Sequence, residues 1–269
     1  MSSDASPLRV VFFGDSLTEG THGVSYLAVL RSMLAETPAR ADVRLINAGV
    51  GGDTVENLLR RVATDVTSHD PDWVVVLIGA NDCTTWLIRR GLWRPIVFWR
   101  TWRYFAREKG VSRAITPQRF APCLRALVAD LRARTHARIA LCTPPPQGVE
   151  PRSPRWWLMA RYTETIRRIA VEMDCDLIDL HARWSEVARG LPHRTLRQRW
   201  RALLGALRGD GDADIETLAR ERGYILTFDG VHFSARGAAL AAKVMRDWLA
   251  AVMLRAETPP DQRRSHPGG

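Results

Sequence analysis

Alternating strand and helix signals predict an α/β protein with a parallel, doubly wound sheet and helices on both faces. Three observations in the chain carry that expectation. Apolar runs such as Leu8–Phe13 and Trp73–Ile78 lack the alternation of a half-exposed strand, so they read as strands covered on both sides. The segments between them repeat apolar residues at helical spacing. Three polar, glycine-bearing clusters, at 14–20, 47–54 and 79–82, each follow a strand. In open α/β sheets that carboxyl edge is where sites are built.

The elements follow in order. After the first strand, Leu27, Leu30 and Leu34 place a helix over Ser25–Glu36. Val43–Asn47 is the second strand, and Val55, Leu58, Leu59, Val62 and Val66 mark the next helix. Trp73–Ile78 reads as a central strand. Thr116 followed by Pro117 is an N-cap with proline at the first helical position, and Phe120, Leu124, Leu127, Val128 and Leu131 form the stripe behind it. Arg138–Cys142 is a strand stopped by three prolines. A helix over about 157–173 leads to a strand expected at Asp176–Leu180. The last helix begins after Ser234 and runs through Leu240, Val244, Trp248 and Val252. No internal repeat interrupts this order. One domain over 1–256 is expected, with a disordered tail at 257–269.

Composition narrows the function classes. The 269 residues are 46% hydrophobic and 25% charged, an ordinary balance for a globular protein. The net charge of +10 sits in two stretches: residues 83–115 carry +7 and residues 183–224 carry +3, leaving the remainder neutral. No nucleic-acid-binding fingerprint accompanies the charge, so no nucleic-acid partner is expected. Cys83, Cys123, Cys142 and Cys175 lie far apart without metal-like spacing, and Cys123, Cys142 and Cys175, in apolar contexts, read as buried free thiols. No metal is expected from these residues. The short polar start and the absence of a long apolar run make the cytoplasm the expected location.

Ser16 ends the first strand and opens a helix, where its backbone N–H favours negative charge. Most serines so placed are only caps or turn residues. A nucleophilic serine also needs a base, an acid to orient it and donors for an oxyanion. Among seven histidines, His232 alone has an upstream acid, Asp229, in a loop between a strand-like and a helical segment. Gly230 lets that loop fold back. Taken alone, Asp-x-x-His is more often a capped helix turn with a surface histidine. The rival pair, Asp179 and His181, sits at a strand end, where satisfied edge residues are expected. His22 lies near Ser16 and reads as a solvated loop residue able to meet a substrate. His69, His136, His193 and His266 lie in polar surface contexts and receive no role. For the oxyanion, the Ser16 N–H, a glycine N–H at Gly51-Gly52 and the Asn81 side chain are the candidate donors.

Four stretches together resemble the SGNH, or GDSL-type, hydrolases: Gly14-Asp15-Ser16-Leu17, Asn47-Ala48-Gly49-Val50-Gly51-Gly52-Asp53-Thr54, Gly79-Ala80-Asn81-Asp82 and Asp229-Gly230-Val231-His232. The resemblance spans residues 8 to 254. It implies a three-layer α/β/α sandwich with a flavodoxin-like sheet, no cofactor, Ser16 as nucleophile, and Asp229 and His232 as acid and base. It also implies Gly52 and Asn81 as oxyanion donors beside Ser16. The residue two after Ser16 is Thr18, which separates the chain from the Gly-x-Ser-x-Gly elbow of α/β-hydrolases. The expected activity is hydrolysis of small or lipid-like acyl esters. A thioesterase or lysophospholipase is the alternative within the family, and a non-catalytic basic binding module is the alternative outside it.

Two basic, mainly helical segments look like insertions, at about 84–115 and 191–224. The first holds Trp86, Trp93, Trp99 and Trp102 among seven arginines. From Pro95, a helix would set Arg100, Arg103 and Arg107 against Phe98, Trp102 and Phe105. That pattern fits a lid or acyl-pocket wall. It also fits peripheral membrane contact through 84–115, with membrane association added to the cytoplasmic location. The second carries Leu196, Trp200, Leu203, Leu204 and Leu207 in a basic helix. Gly209-Asp210-Gly211-Asp212 behind it lacks the full ligand spacing of a calcium loop and reads as a polar turn.

Overall fold

A computed structural model of the chain describes residues 7–36, 43–89, 95–148, 153–208 and 214–257. Five strands form one all-parallel sheet: β1 (Leu8–Gly14), β2 (Val43–Gly49), β3 (Trp73–Leu77), β4 (Arg138–Cys142) and β5 (Asp176–Ile178). Their order, β2-β1-β3-β4-β5, is that of the doubly wound flavodoxin-like class. Connecting them in chain order are α1 (Ser16–Glu19), α2 (Tyr26–Ala35), α3 (Val55–Asp65), α4 (Ala80–Arg89), α5 (Pro95–Arg107) and α6 (Pro117–Arg134). Then follow α7 (Pro154–Glu172), α8 (Leu180–Arg189), α9 (Leu196–Arg208), α10 (Ile215–Arg222) and α11 (Ala235–Glu257).

The period-2 geometry of the strands divides the core in two. Val11, Phe13, Val74, Val76, Ile139 and Leu141 face one side and pack against α3, α6 and α7. Val10, Phe12, Val75, Leu77 and Ala140 face the other and pack against α2, α8 and α11. The result is a three-layer α/β/α sandwich. Because both faces are covered, β3 is buried at every position, which is why its sequence shows no alternation.

Register brings the site together. Gly14 of β1 lies opposite Gly49 of β2 and Leu77 of β3, so three strands end at one level and release their loops to one edge. Caps stop and start the helices where the side chains dictate. Thr116 accepts from Arg119 N at 3.4 Å, with Pro117 next to it, as the sequence leads one to expect. Ser153 likewise receives Trp156 N at 3.3 Å and starts α7 at Pro154.

One expected strand is shorter. Asp176–Leu180 does not run as a strand throughout, because β5 ends at Ile178 and Asp179 turns the chain by accepting Ala182 N at 3.0 Å, opening α8. Helix α8 also occupies a stretch without an expectation, and α4 and α10 lie in segments expected only in general terms to be helical. The thiols are free. Cys142 is buried as expected and Cys83 is buried too, whereas Cys123 and Cys175 are only half-buried. Among the described residues no helix is long and apolar enough to cross a membrane. The tail from 258 and the Gly209–Asp212 turn lie outside the described residues.

Candidate active site

Ser16 opens α1, a single turn capped by the Asp15 carboxylate, which accepts Leu17 N at 3.0 Å. The Ser16 hydroxyl therefore projects from the sheet edge rather than back into the strand. Its Oγ lies 3.0 Å from His232 Nε2. On the other side of that ring, Nδ1 lies 2.7 Å from Asp229 Oδ2. The remaining Asp229 oxygen accepts the backbone N–H groups of Val231 and His232, both at 2.8 Å. Gly230, at φ +92°, makes this tight fold-back possible for the backbone. The loop is held from outside as well: Gly148 N donates to Gly230 O at 2.7 Å, and Phe228 N donates to His232 O at 3.1 Å.

Two rings stack on the imidazole. Phe228 stacks on it at a centroid distance of 6.0 Å, and His22 stacks on it at 5.6 Å, each with an interplanar angle of 28°. His22 stays exposed as expected, yet its contact is with the base itself. Burial pushes the His232 pKa down, but the hydrogen bond and charge of Asp229, helped by Asp15 and Glu19, outweigh it and leave the pKa raised. Burial pushes Asp229 up, but the His232 hydrogen bond, its charge and the two backbone donors leave the carboxyl below its usual range. Asp15 differs from both. Burial without a partner for Oδ2 outweighs its one backbone donor and raises its pKa to about 7.

The two other glycine-bearing clusters join this edge. A Cβ on Gly49 would overlap the Glu19 backbone, so only glycine lets the loop after β2 pass α1 so closely. Gly52 adopts φ +78°. Asn81 Nδ2 donates to Asp53 O at 2.9 Å, tying the third cluster to the second. Asp82, fully buried, accepts Val55 N at 3.1 Å and ties it again at the start of α3. Of the five residues expected at the site, Ser16 and Asn81 lie in the first turns of α1 and α4, and Gly52, Asp229 and His232 lie in loops.

The profile of the GDSL-like lipase/acylhydrolase family matches residues 12–240, a span holding all five. The chain belongs to this family. A family member of this kind is a carboxylic ester hydrolase, and the serine–histidine contact fits the serine type. Relatives include an acetylxylan esterase of Geobacillus stearothermophilus, 27% identical over 196 residues that cover 68% of this chain and 80% of that protein. A local match of 77 residues, 35% identical, covers 28% of this chain and 38% of an arylesterase of Vibrio mimicus. The crystal structure of the Geobacillus acetylxylan esterase superposes with a TM-score of 0.62 at 22% identity, covering 90% of this chain and 93% of that one. The hydrolase LAE5, from a Lake Arreo metagenome, gives 0.60 at 22% identity, covering 94% and 98%. At such identities these structures speak for the fold.

Three residues of the GDSL-like site have no signal in the sequence reading. Arg61 of α3 reaches the strand ends with one guanidinium: it donates to Gly14 O and Ala48 O, each at 2.8 Å, and pairs with Asp53 and Asp65, each at 2.6 Å. Its place at the margin of the α3 stripe, four residues before Asp65, is the only local hint. Lys109 comes from the basic 84–115 segment. Its ammonium lies 3.0 Å from Asp53 Oδ1, and its carbonyl accepts Asn57 Nδ2 at 2.8 Å. Tyr104 donates its hydroxyl to Gly51 O at 3.3 Å and lies against Gly52, where a Cβ would overlap it. Trp102 and Phe105 of the same segment pack inward on Ile88 and Val111, while Arg103 and Arg107 are exposed. The side chains of Phe98, Trp99 and Arg100, and all of Trp93, lie outside the described residues.

Proposed function

We propose that this hydrolase cleaves small acyl esters with Ser16 as nucleophile, His232 as base and Asp229 as orienting acid. The observation that carries the reading is the continuous relay of 3.0 Å and 2.7 Å from Ser16 through His232 to Asp229. Ser16 Oγ attacks the acyl carbonyl as its proton passes to His232 Nε2. Asp229 holds Nδ1–H and stabilises the imidazolium that forms. The carbonyl oxygen, now negative, takes hydrogen bonds from the Ser16 and Gly52 backbone N–H groups and from Asn81 Nδ2. One Nδ2 proton already serves Asp53 O, which fixes the amide plane and leaves the second proton for the substrate. Collapse of the tetrahedral species expels the alcohol, which His232 protonates. Water activated by the same imidazole then attacks the acyl-serine, and His232 returns the proton to Ser16.

A short acyl group is favoured by Tyr104 and Lys109, which crowd the outer side of the Gly51–Asp53 loop as a wall. The acetylxylan and aryl esters in the names of the two relatives agree with that size. The test combines Ser16→Ala with a fluorophosphonate probe. Wild type should gain one covalent adduct, at Ser16, and hydrolyse p-nitrophenyl acetate. Ser16→Ala should lose the adduct and about four or more orders of magnitude in kcat. Full turnover by Ser16→Ala sinks the assignment. Faster turnover of long-chain esters or lysophospholipids than of acetate removes the short-acyl part only.

A further inference from the structure

Helix α9 is amphipathic in an unusual sense: the face turned to the protein is its polar one. Gly205 backs onto the Arg222 guanidinium of α10, and Gln198 lies against Gly223 at the end of α10. Gln198 also spends its side-chain oxygen at the helix start, accepting Thr195 N at 2.9 Å. The opposite face carries Leu196, Trp200, Leu203 and Leu204, whose spacing sets them within an arc of about 100° on a helix. They are 72%, 57%, 37% and 42% exposed. Arginines frame the stripe, Arg199 on one side and Arg197 and Arg201 on the other. The whole of α9 contains four arginines and no acid. Arg201 meets Glu221 at 3.7 Å, with both side chains about half exposed.

These four large apolar side chains leave in water surface that a partner would bury favourably. A tryptophan and three leucines rimmed by arginine match the boundary between lipid headgroups and acyl chains. There an indole sits at the interface, leucines enter the hydrocarbon, and arginine stems extend their charges to phosphate. We propose that α9 docks this enzyme on an anionic lipid surface. Charge decides between the occupants. A second copy of the chain would bring the same arginine-rich rim against this one, whereas anionic headgroups carry the opposite charge. The proposal stands apart from the catalytic reading, because it uses none of the residues assigned to acyl transfer.

Sedimentation of the full-length protein with vesicles tests it. Vesicles of phosphatidylcholine with about 30% phosphatidylglycerol, the composition chosen for a strongly negative surface, should carry the protein down. Pure phosphatidylcholine should bind at least tenfold more weakly, and added salt should weaken the anionic binding. The double variant Trp200→Ser with Leu204→Ser should lose at least tenfold in vesicle binding while keeping wild-type turnover of p-nitrophenyl acetate, which reports that it is folded. Arg197→Gln with Arg201→Gln should flatten the salt dependence. Equal pelleting with both vesicle types, or none with either, overturns the proposal. So does binding that survives Trp200→Ser with Leu204→Ser, which would point to the 84–115 segment. A concentration-dependent dimer that the same variant abolishes would assign the face to a second copy and also overturn it.

Discussion

Two Asp–His pairs stand at the carboxyl edge of the sheet, Asp229 with His232 and Asp179 with His181. They contain the same functional groups and do different work. Asp229 fixes its own loop with one oxygen and gives the other to the ring, so the far nitrogen is turned toward Ser16. Asp179 has both oxygens engaged elsewhere: Arg167 binds them at 2.9 and 3.1 Å, Thr143 at 2.9 Å, and Ala182 N at 3.0 Å. His181 instead meets Thr163 Oγ1 and Pro144 O through Nδ1. Spacing explains part of the contrast. Three residues with Gly230 between them allow a fold-back, whereas two residues at a helix start leave the carboxylate on the cap and carry the ring into the core. A catalytic pair is thus recognised by where its second oxygen goes.

Exchanging each aspartate for asparagine should separate the two most sharply. Asp229→Asn should lower kcat by about two to four orders of magnitude, because the ring loses its tautomer and its counter-charge. Asp179→Asn should leave kcat within a few-fold and cost about 1–2 kcal/mol of stability through the lost cap and arginine bonds, read by urea titration. If the effects came out reversed, the pairs would have been misassigned.

The next distinction is in pH. As the proposed base, His232 would act in its neutral form, so kcat/KM should rise with pH through a midpoint above the ordinary histidine value of about 6.5. Removing the charge with Asp229→Asn should move that midpoint down, since burial is then opposed only by the smaller effects of Asp15 and Glu19. His181 is lowered by burial, which outweighs the Pro144 carbonyl. Below about pH 6.5 the unfolded chain takes up this proton before the folded one, so His181 should make stability fall as pH drops. The difference in unfolding free energy between pH 7 and pH 5 should shrink in His181→Gln, and an unchanged difference would remove His181 from the account.

The smallest effect belongs to the wall beside Gly52. Tyr104→Phe should lower kcat a few-fold at most, the loss expected for one exposed hydrogen bond. Lys109→Met, which strips a cation from buried Asp53, should cost more than Tyr104→Phe. Lys109→Arg should recover most of that loss. Equal turnover in all three would reduce the segment to a bystander of the oxyanion loop.

Much of this was legible before any coordinates. Strands β1 to β4 announced themselves as apolar runs, and helices α2, α3, α6 and α11 as stripes. The proposed catalytic residues Ser16, Asp229 and His232 can be picked out by residue type, and the structure brings them into hydrogen-bond contact. Three things were not legible, for separate physical reasons. Asp179 ended a strand early because one side chain preferred to cap a helix, although Leu177, Ile178 and Leu180 continue the apolar run. Helix α4 hid because it is buried almost throughout, from Cys83 to Ile88, and so shows no stripe. Arg61 and Lys109 act across distances in sequence that no local period encodes. The stacking of His22 on the base is of the same kind: its neighbourhood could be read, and its partner could not.

Arg61 also constrains how this enzyme can change. One planar cation holds two strand-end carbonyls and two carboxylates, so the loops after β1 and β2 share a single fixed point. Lengthening either loop, or grafting one from a relative, displaces the anchor of the other. Substitutions in these loops should therefore be epistatic, with tolerated pairs concentrated where both partners keep the guanidinium in place. Diversity of substrate is left to segments outside that knot, and the wall carrying Tyr104 and Lys109 is the natural place for it to accumulate.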